Sequence, residues 1–330
     1  MKNPSNSGSS RDSMFDVFRV VAAVAVTIVH SPGLDETPRW SLPLRFAVPF
    51  YCCAGIYFGV KHFLRRTPPD PLREYADQRF QRIYRPFLAW SLLYVLFQMI
   101  AALVGLAGKA PDIGFGLFFF GTAGHLWFIP FIFAAGFTVY ALMPWIIRAP
   151  RIFAAGFTLC AVGISATALS FTDLVEHESL AVQMIFRLAP VCAGTAISIG
   201  ALVLRWRQEV LASIAIAGVA FATVATWLAM TEGGSHILWG NAIGVPMFCV
   251  CLTNRRFTAL DPIVRLGPYA LGIYFSHFLF LEGFEDIVNH VFGMKVTAAV
   301  NAAIIGASLV SSMITVVLLD RWPGTRFLVR

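Results

Sequence analysis

Two side chains that could do chemistry lie eleven residues apart in one apolar segment near the amino end. The segment "MFDVFRVVAAVAVTIVH", residues 14–30, contains Asp16, Arg19 and His30. Eleven helical residues make three turns plus roughly 20°, so Arg19 and His30 share a face, about 16 Å apart along the axis. Ionisable groups in a membrane span usually mark function. The same-face pair therefore favours a functional role over interfacial anchoring at the two ends of a helix.

A second candidate is the basic stretch "RFQRIYR", which places Arg79 and Arg82 three residues apart and Arg85 one turn further on. Guanidinium groups at this spacing suit phosphate groups, which they can bind through two hydrogen bonds at once. The alternative is ordinary positive charge beside a membrane entry. The spacing does not decide between the two.

Three further stretches carry polar groups within apolar sequence. "GHLWFIPF" contains His125 and Trp127, which by themselves are typical of an interfacial anchor. "MIFRLAPVCAG" places Arg187 near the start of a span, where an unpaired guanidinium is costly and an anionic partner or polar cavity is expected. "LGPYALGIYFSHFLFLEGFED" places His277 near mid-membrane and Glu282 one to two turns further out.

The composition indicates the elements that must position these residues. Of 330 residues, 58% are hydrophobic and only 13% are charged, and the mean hydropathy is +0.72. These values are typical of a polytopic membrane protein, so we predict an all-α transmembrane helical bundle of about ten spans. The spans are expected at about 14–31, 44–63, 86–106, 126–146, 152–171, 184–204, 209–230, 237–253, 268–285 and 297–319.

The distribution of charge predicts the orientation. With both termini in the cytoplasm, 20 of the 25 Lys and Arg residues lie inside, while Arg39, Arg45, Lys109 and Lys295 lie outside and Arg187 lies in or near a span. This asymmetry follows the positive-inside rule. Topology therefore explains the net charge of +7, and a nucleic-acid partner is excluded.

The chain is expected to form one domain. Residues 1–13 are predicted to be a disordered cytoplasmic tail, 14–322 the membrane-embedded domain and 323–330 a cytoplasmic carboxyl-terminal tail. The first helix is expected to be a retained anchor, followed by the outer loop "SPGLDETPRW". "TPPDP" should break the chain before a helix that runs from Leu72 to Tyr84 and continues to Pro86.

Taken in order, the motifs over about residues 14 to 280 resemble the integral-membrane acyltransferase family 3. Arg19 and His30 fit its Arg-(ten residues)-His pattern, and Arg79 and Arg82 fit its Arg-x-x-Arg element. "VPFYCCAGIYFGV", "GHLWFIPFIF" and "LGPYALGIYFSH" are similar to its other elements. The chain departs from the family at Ala54, where serine is usual.

A second departure is Ala270, again in place of a frequent serine, and the appended esterase-like domain of some relatives is not expected here. The resemblance implies a bacterial cytoplasmic-membrane enzyme that moves an acetyl or other short acyl group from cytoplasmic acyl-CoA to a hydroxyl of a cell-envelope carbohydrate or similar acceptor. Acyl-CoA would be a co-substrate, with no permanently bound cofactor and no metal. The lipid bilayer is the remaining expected partner.

Acyl transfer to a hydroxyl needs a base and stabilisation of an oxyanion. We expect His30 to be the general base and Arg19 to bind a phosphate on the coenzyme path, although an acyl-histidine intermediate stays open. The predicted coenzyme-binding residues are Arg79, Arg82 and Arg85. The predicted channel residues are Trp127, Arg187, His277 and Glu282.

Two alternatives remain open on the sequence. One is a secondary transporter in which His30, His277 and Glu282 form a proton relay. The other is a non-catalytic scaffold or sensor built on the same fold. Consumption of acetyl-CoA by the purified protein would separate the enzyme from the transporter.

Overall fold

The computed structural model describes residues 13–31, 39–104, 114, 117–170, 180–232, 236–253 and 258–329, and these residues form helices and no strand. The α-helices are α1 (Ser13–Val29), α2 (Ala47–Arg65), α3 (Leu72–Arg79), α4 (Arg85–Leu103), α5 (Leu117–Phe120), α6 (Phe128–Arg148), α7 (Pro150–Ser170), α8 (Leu180–Phe186), α9 (Leu188–Ser198), α10 (Gln208–Glu232), α11 (His236–Leu252), α12 (Asp261–Leu266), α13 (Ala270–Asp286) and α14 (Ala298–Arg321). Between them lie 3₁₀ turns at Arg39–Phe46, Thr258–Leu260, Gly267–Tyr269 and Arg326–Leu328, and π-helical turns at Phe80–Tyr84, Ile199–Val203 and Ile287–Val291. The predicted all-α class is confirmed.

Seven of the predicted spans are confirmed as helical segments long and apolar enough to cross a membrane. In the described part of the chain these are Arg39–Arg65, Leu72–Leu103, Phe128–Arg148, Pro150–Ser170, Gln183–Val203, Gln208–Glu232 and Ala298–Arg321. The other three predicted spans form the helices α1, α11 and α13, each of 17 residues. A helix of that length rises about 25 Å, somewhat less than a hydrocarbon core of about 30 Å. The total of about ten spans therefore stays a prediction.

The long basic connection folds as the sequence predicts, with one irregularity. α2 ends at Arg65 and α3 begins at Leu72, and the helix continues into α4 through the π-helical turn Phe80–Tyr84, in which the backbone N–H of Arg85 donates to the carbonyl of Phe80. Pro86 has no N–H to donate, and its ring would crowd the carbonyl one turn back, so a wider turn fits here. The extra residue rotates the following side chains by roughly 100°.

The centre of the bundle is formed by α1 and α2. α1 packs against α2, α11, α12, α13 and α14, and α2 packs also against α6 and α9. The most apolar part of the span containing α2 is 61% buried within the protein, against 6% in α7 and 17% in α10. α7 and α10 therefore present most of their apolar surface outward, where a membrane protein meets lipid.

The predicted carboxyl-terminal tail folds back onto the bundle. The indole N–H of Trp90 in α4 donates to the carbonyl of Leu328 at 3.0 Å, and Val329 is fully buried. The predicted amino-terminal tail lies outside the described residues, except for Ser13, which begins α1. The predicted outer loop also lies outside them over residues 32–38.

Candidate active site

A cavity of about 720 Å³, called here the large cavity, opens beside the amino-terminal half of α1. Its walls come from α1, α2, the α3 segment with its π-helical turn, α6, and the stretch 267–274. Among the described residues that line it, Asp16 is the one carboxylate. Five cationic side chains line it: Arg19, Lys61, Arg65, Arg79 and Arg82. Such an excess of positive charge in a concave site attracts a polyanionic ligand.

Arg19 is held in place from three sides. Its guanidinium donates to Asp16, one turn earlier on α1, at 3.0 Å, and it lies 4.8 Å from the ring centroid of Phe58. The hydroxyl of Tyr51 donates to the Arg19 main-chain carbonyl at 2.7 Å. These contacts fix where the cation meets the large cavity.

Arg79 and Arg82 line the large cavity, whereas Arg85 does not. The Nε of Arg79 donates to the Tyr75 hydroxyl at 3.2 Å, and Tyr75 stacks on Tyr140 at a centroid distance of 3.7 Å. Arg85 lies over the ring of Phe327, 4.3 Å from its centroid. The π-helical turn explains this separation, because it rotates Arg85 off the face that carries Arg79 and Arg82.

A second cavity of about 90 Å³, called the small cavity, lies at the other end of α1. This volume holds several water molecules or the reacting end of a ligand. No aspartate or glutamate is among the described residues that line it. The hydrogen-bonding and charged side chains among the described residues at its wall are His30, Arg45, His125, Trp127, Arg187, His236, Asn241 and Tyr274.

Three histidine rings meet beside the small cavity. The ring centroids of His30 and His125 are 5.9 Å apart, those of His30 and His277 5.7 Å, and those of His125 and His277 4.8 Å. Within the part of the chain that is described, no group of three or more His, Cys, Asp or Glu side chains is arranged to hold a metal ion. Imidazole side chains can each take up or release a proton near neutral pH.

Hydrogen bonds decide which ring nitrogen is available in two of these histidines. Nδ1 of His30 lies 2.9 Å from the carbonyl of Val26, and Nδ1 of His277 lies 2.8 Å from the carbonyl of Tyr274. A carbonyl only accepts, so in the neutral ring Nδ1 carries the proton and Nε2 carries the lone pair. Nε2 of His277 and both ring nitrogens of His125 are buried without a partner among the described residues.

Tyr274 separates the two cavities, since it lines both of them. Its hydroxyl donates to the main-chain carbonyl of His125. Nearby, the fully buried Tyr94 donates to the carbonyl of Phe275 at 2.8 Å and accepts the N–H of Leu279 at 3.0 Å. These bonds join α4 to the part of α13 that carries Tyr274 and His277.

Of the four predicted channel residues, two line the small cavity. The guanidinium carbon of Arg187 lies 4.6 Å from the ring centroid of Trp127. Trp127 is buried at 9% exposure, so it is not the interfacial anchor that its flanking sequence suggests. His277 adjoins the cavity through the histidine cluster, while Glu282, five residues further along α13, lines neither cavity.

Comparison of the sequence with models of protein families identifies the family that has this arrangement of side chains. The sequence model of the acyltransferase 3 family, described as an acyltransferase domain, matches residues 13–321. The chain belongs to the acyltransferase 3 family. Neither the curated proteins nor the solved structures include a match to it. The two alanines at which this family member departs from the motif pattern, Ala54 and Ala270, both line the large cavity, so neither departure reaches the wall around His30.

The structure adds residues that sequence reasoning missed in this acyltransferase. Lys61 and Arg65 end α2 one turn apart, a spacing that could have been recognised as a cationic face. Tyr274 lies within a quoted motif, three residues before His277. Nothing in the sequence indicates Asn241, because its place at the small cavity depends on how α11 packs against the 3₁₀ turn Arg39–Phe46.

Proposed function

We propose that this protein is a membrane O-acyltransferase that moves an acetyl or other short acyl group from acyl-CoA to a hydroxyl of a cell-envelope carbohydrate or similar acceptor. One observation carries the proposal. A large cavity rich in guanidinium groups and a small cavity containing His30 share Tyr274 as a common wall. In this account the donor enters through the first cavity and the acceptor through the second.

The large cavity is the proposed donor site. Coenzyme A carries its negative charge on phosphate groups at one end and its thioester at the end of a neutral pantetheine arm. Arg79 and Arg82 would bind the phosphates through their planar forks, and Arg19 would bind a phosphate deeper on the same path. A volume of about 720 Å³ lies within the range of pockets for ligands of this kind. Arg85 would act as a structural contact to Phe327.

The small cavity is the proposed site of bond formation. Nε2 of His30 would take the proton of the acceptor hydroxyl as its oxygen attacks the thioester carbonyl. The carbon–sulfur bond then breaks, the sulfur leaves as the coenzyme thiolate, and the proton on His30 passes to the thiolate. His277, with its lone pair on Nε2, would support the charge that develops on His30.

The proposed orientation follows from the charge distribution. The large cavity lies at the end of the bundle that carries Lys61, Arg65 and Arg79, where the positive-inside rule expects the cytoplasm. Acyl-CoA is made and kept in that compartment, so a donor site on that side suits a bacterial inner-membrane enzyme. The acceptor would then reach His30 from the opposite side.

The test uses the purified full-length chain in lipid nanodiscs. The protein should bind coenzyme A and release free thiol from acetyl-CoA, faster when a soluble glycoside is added as acceptor. A transporter or scaffold would release no thiol above the rate in empty nanodiscs. If folded protein neither binds the coenzyme nor releases thiol from acetyl-, propionyl- or succinyl-CoA, the proposal is wrong.

A further inference from the structure

Arg187 is a cation in the wall of the small cavity, and it has no counter-ion among the residues that the structure describes. No carboxylate in the described part of the chain lies within ion-pair distance of it, and its Nε is shielded from solvent without a hydrogen-bond partner. Its guanidinium carbon lies 4.6 Å from the centroid of the Trp127 ring. A guanidinium held in a membrane bundle without a partner is costly, so such groups usually meet an anion or a polar cavity.

The coenzyme phosphates are not the expected partner of Arg187. The large cavity already has five cationic side chains for them, and Tyr274 lies between that cavity and the small one. The part of the donor that would pass Tyr274 is the uncharged end of the pantetheine arm. An anion in the small cavity must therefore arrive with the acceptor or form during the reaction.

Asn241 favours the acceptor over an oxyanion formed in the reaction. Its Oδ1 is buried and has no hydrogen-bond partner among the described residues, and it lines the same cavity as Arg187. A buried carbonyl oxygen needs a donor, such as a hydroxyl. A reaction oxyanion supplies negative charge but no donor, whereas an acidic sugar supplies both an anion and several hydroxyls.

We propose that the small cavity selects an acceptor bearing an anionic group, a carboxylate or a phosphate, which binds Arg187 while a neighbouring hydroxyl donates to Asn241. This inference rests on the proposed function in one respect, that the reacting hydroxyl is placed at His30. The acceptor class is then acidic or phosphorylated glycans. Neutral sugars would be poor acceptors.

The first test measures binding and does not need turnover. Thermal unfolding of the nanodisc protein is followed with methyl glucuronide, with methyl glucoside 6-phosphate and with neutral methyl glucoside. A ligand that binds only the folded state raises the unfolding temperature. Both anionic glycosides, or the one whose charge suits the site, should raise it, and the neutral glycoside at the same concentration should not. Equal shifts with all three, or none, would overturn the proposal.

The second test assigns the preference to Arg187. Arg187→Gln should abolish the shift with anionic glycosides, while Arg187→Lys, which keeps the charge, should retain part of it. Arg151→Gln is the matched control, because Arg151 is exposed on α7 and lines neither cavity. Its response should equal that of the wild type. A full shift in Arg187→Gln would place the anion elsewhere and overturn the assignment.

Kinetics then separate this inference from the proposed function. Charge-assisted hydrogen bonds suggest about a 10-fold to 100-fold preference in kcat/KM for the anionic acceptor. In Arg187→Gln this preference should disappear because KM for the anionic acceptor rises, whereas KM for the neutral acceptor should change much less. If Arg187→Gln instead slows thiol release and transfer to every acceptor equally, Arg187 acts on the reaction itself and the acceptor assignment is wrong. Thiol release without any charge preference in the wild type would leave the proposed function standing and remove this inference.

Discussion

Replacing Arg82 with alanine should weaken binding of the coenzyme phosphates without altering binding of the neutral pantetheine arm. Arg82 lines the large cavity, and its guanidinium makes no ion pair or hydrogen bond with any described residue, so its donors are free for a ligand. A hydrogen bond to a charged group contributes about 1.5–3 kcal/mol, which solvent exposure at this side chain reduces to about 1–2 kcal/mol. The dissociation constant for coenzyme A should therefore rise about 5-fold to 30-fold.

Calorimetric titration of nanodisc protein measures this constant directly, at two salt concentrations. Arg82→Lys should lose less affinity, because it keeps the positive charge and loses only the planar guanidinium that can form two hydrogen bonds at once. Arg73→Ala is the control, since Arg73 is exposed on α3 and lines neither cavity. The reasoning fails if Arg73→Ala weakens binding as much as Arg82→Ala, or if binding of pantetheine, which has no phosphate, falls by the same factor.

Three further predictions concern stability and are checked by thermal unfolding of the nanodisc protein. Tyr94→Phe should lower the free energy of unfolding by about 1–3 kcal/mol, because it removes the hydroxyl that bridges two main-chain groups of α13. An unchanged free energy would mean that these two groups form hydrogen bonds within α13 instead. Gly194→Ala should lower the free energy of unfolding by about 1–3 kcal/mol through overpacking, because a Cβ there would lie 2.6 Å from the α2 backbone. Gly163→Ala is the control and should change it little, since a Cβ at Gly163 would have nothing within 4 Å. Equal losses in the two variants would refute the close packing. The hydrogen bond with His62 lowers the pKa of the Asp70 carboxyl. The stabilisation of the folded state by the ionised carboxyl is therefore present above the unfolded pKa of about 3.9 and is lost as pH falls through the folded pKa. Asp70→Asn should lower the unfolding temperature near pH 7 and match the wild type at strongly acidic pH, and a difference that persists there would contradict the assignment.

The apolar pattern was sufficient to predict the fold class and the positions of the helices. Apolar runs of spanning length and a proline-rich break are local properties, and they predicted α2, α6 and the start of α3. Whether a helix spans is harder to predict, because the runs 14–31, 237–253 and 268–285 give helices of 17 residues, the lower end of the length that crosses a hydrocarbon core. Whether α1, α11 and α13 cross the membrane depends on tilt and on neighbouring helices, which composition does not record.

The candidate site was predictable where it depends on spacing along one helix. Arg19 and His30 reach different cavities at the two ends of α1, as a rise of about 16 Å suggests. Arg85 was grouped with Arg79 and Arg82 because a regular helix was assumed, and the π-helical turn before Pro86 rotates it away.

Residues brought to the site by tertiary packing could not be found in this way. His125 joins His30 and His277 because α6 and its preceding turn pack beside α13 and the end of α1. Tyr274 forms a wall of two cavities that no local pattern describes. Such contacts depend on how whole helices are arranged, and this arrangement cannot be read by inspection from a single sequence.

The central claim is that His30 is the base for acyl transfer from a coenzyme bound in the other cavity. The most direct measurement is the transfer rate of His30→Gln at saturating acetyl-CoA, with the coenzyme dissociation constant determined on the same nanodisc sample. Our account predicts a rate lower by about 10²–10⁴-fold, together with coenzyme affinity within about 3-fold of the wild type, because His30 does not line the large cavity. A transfer rate equal to that of the wild type, or loss of coenzyme binding in place of turnover, would contradict it.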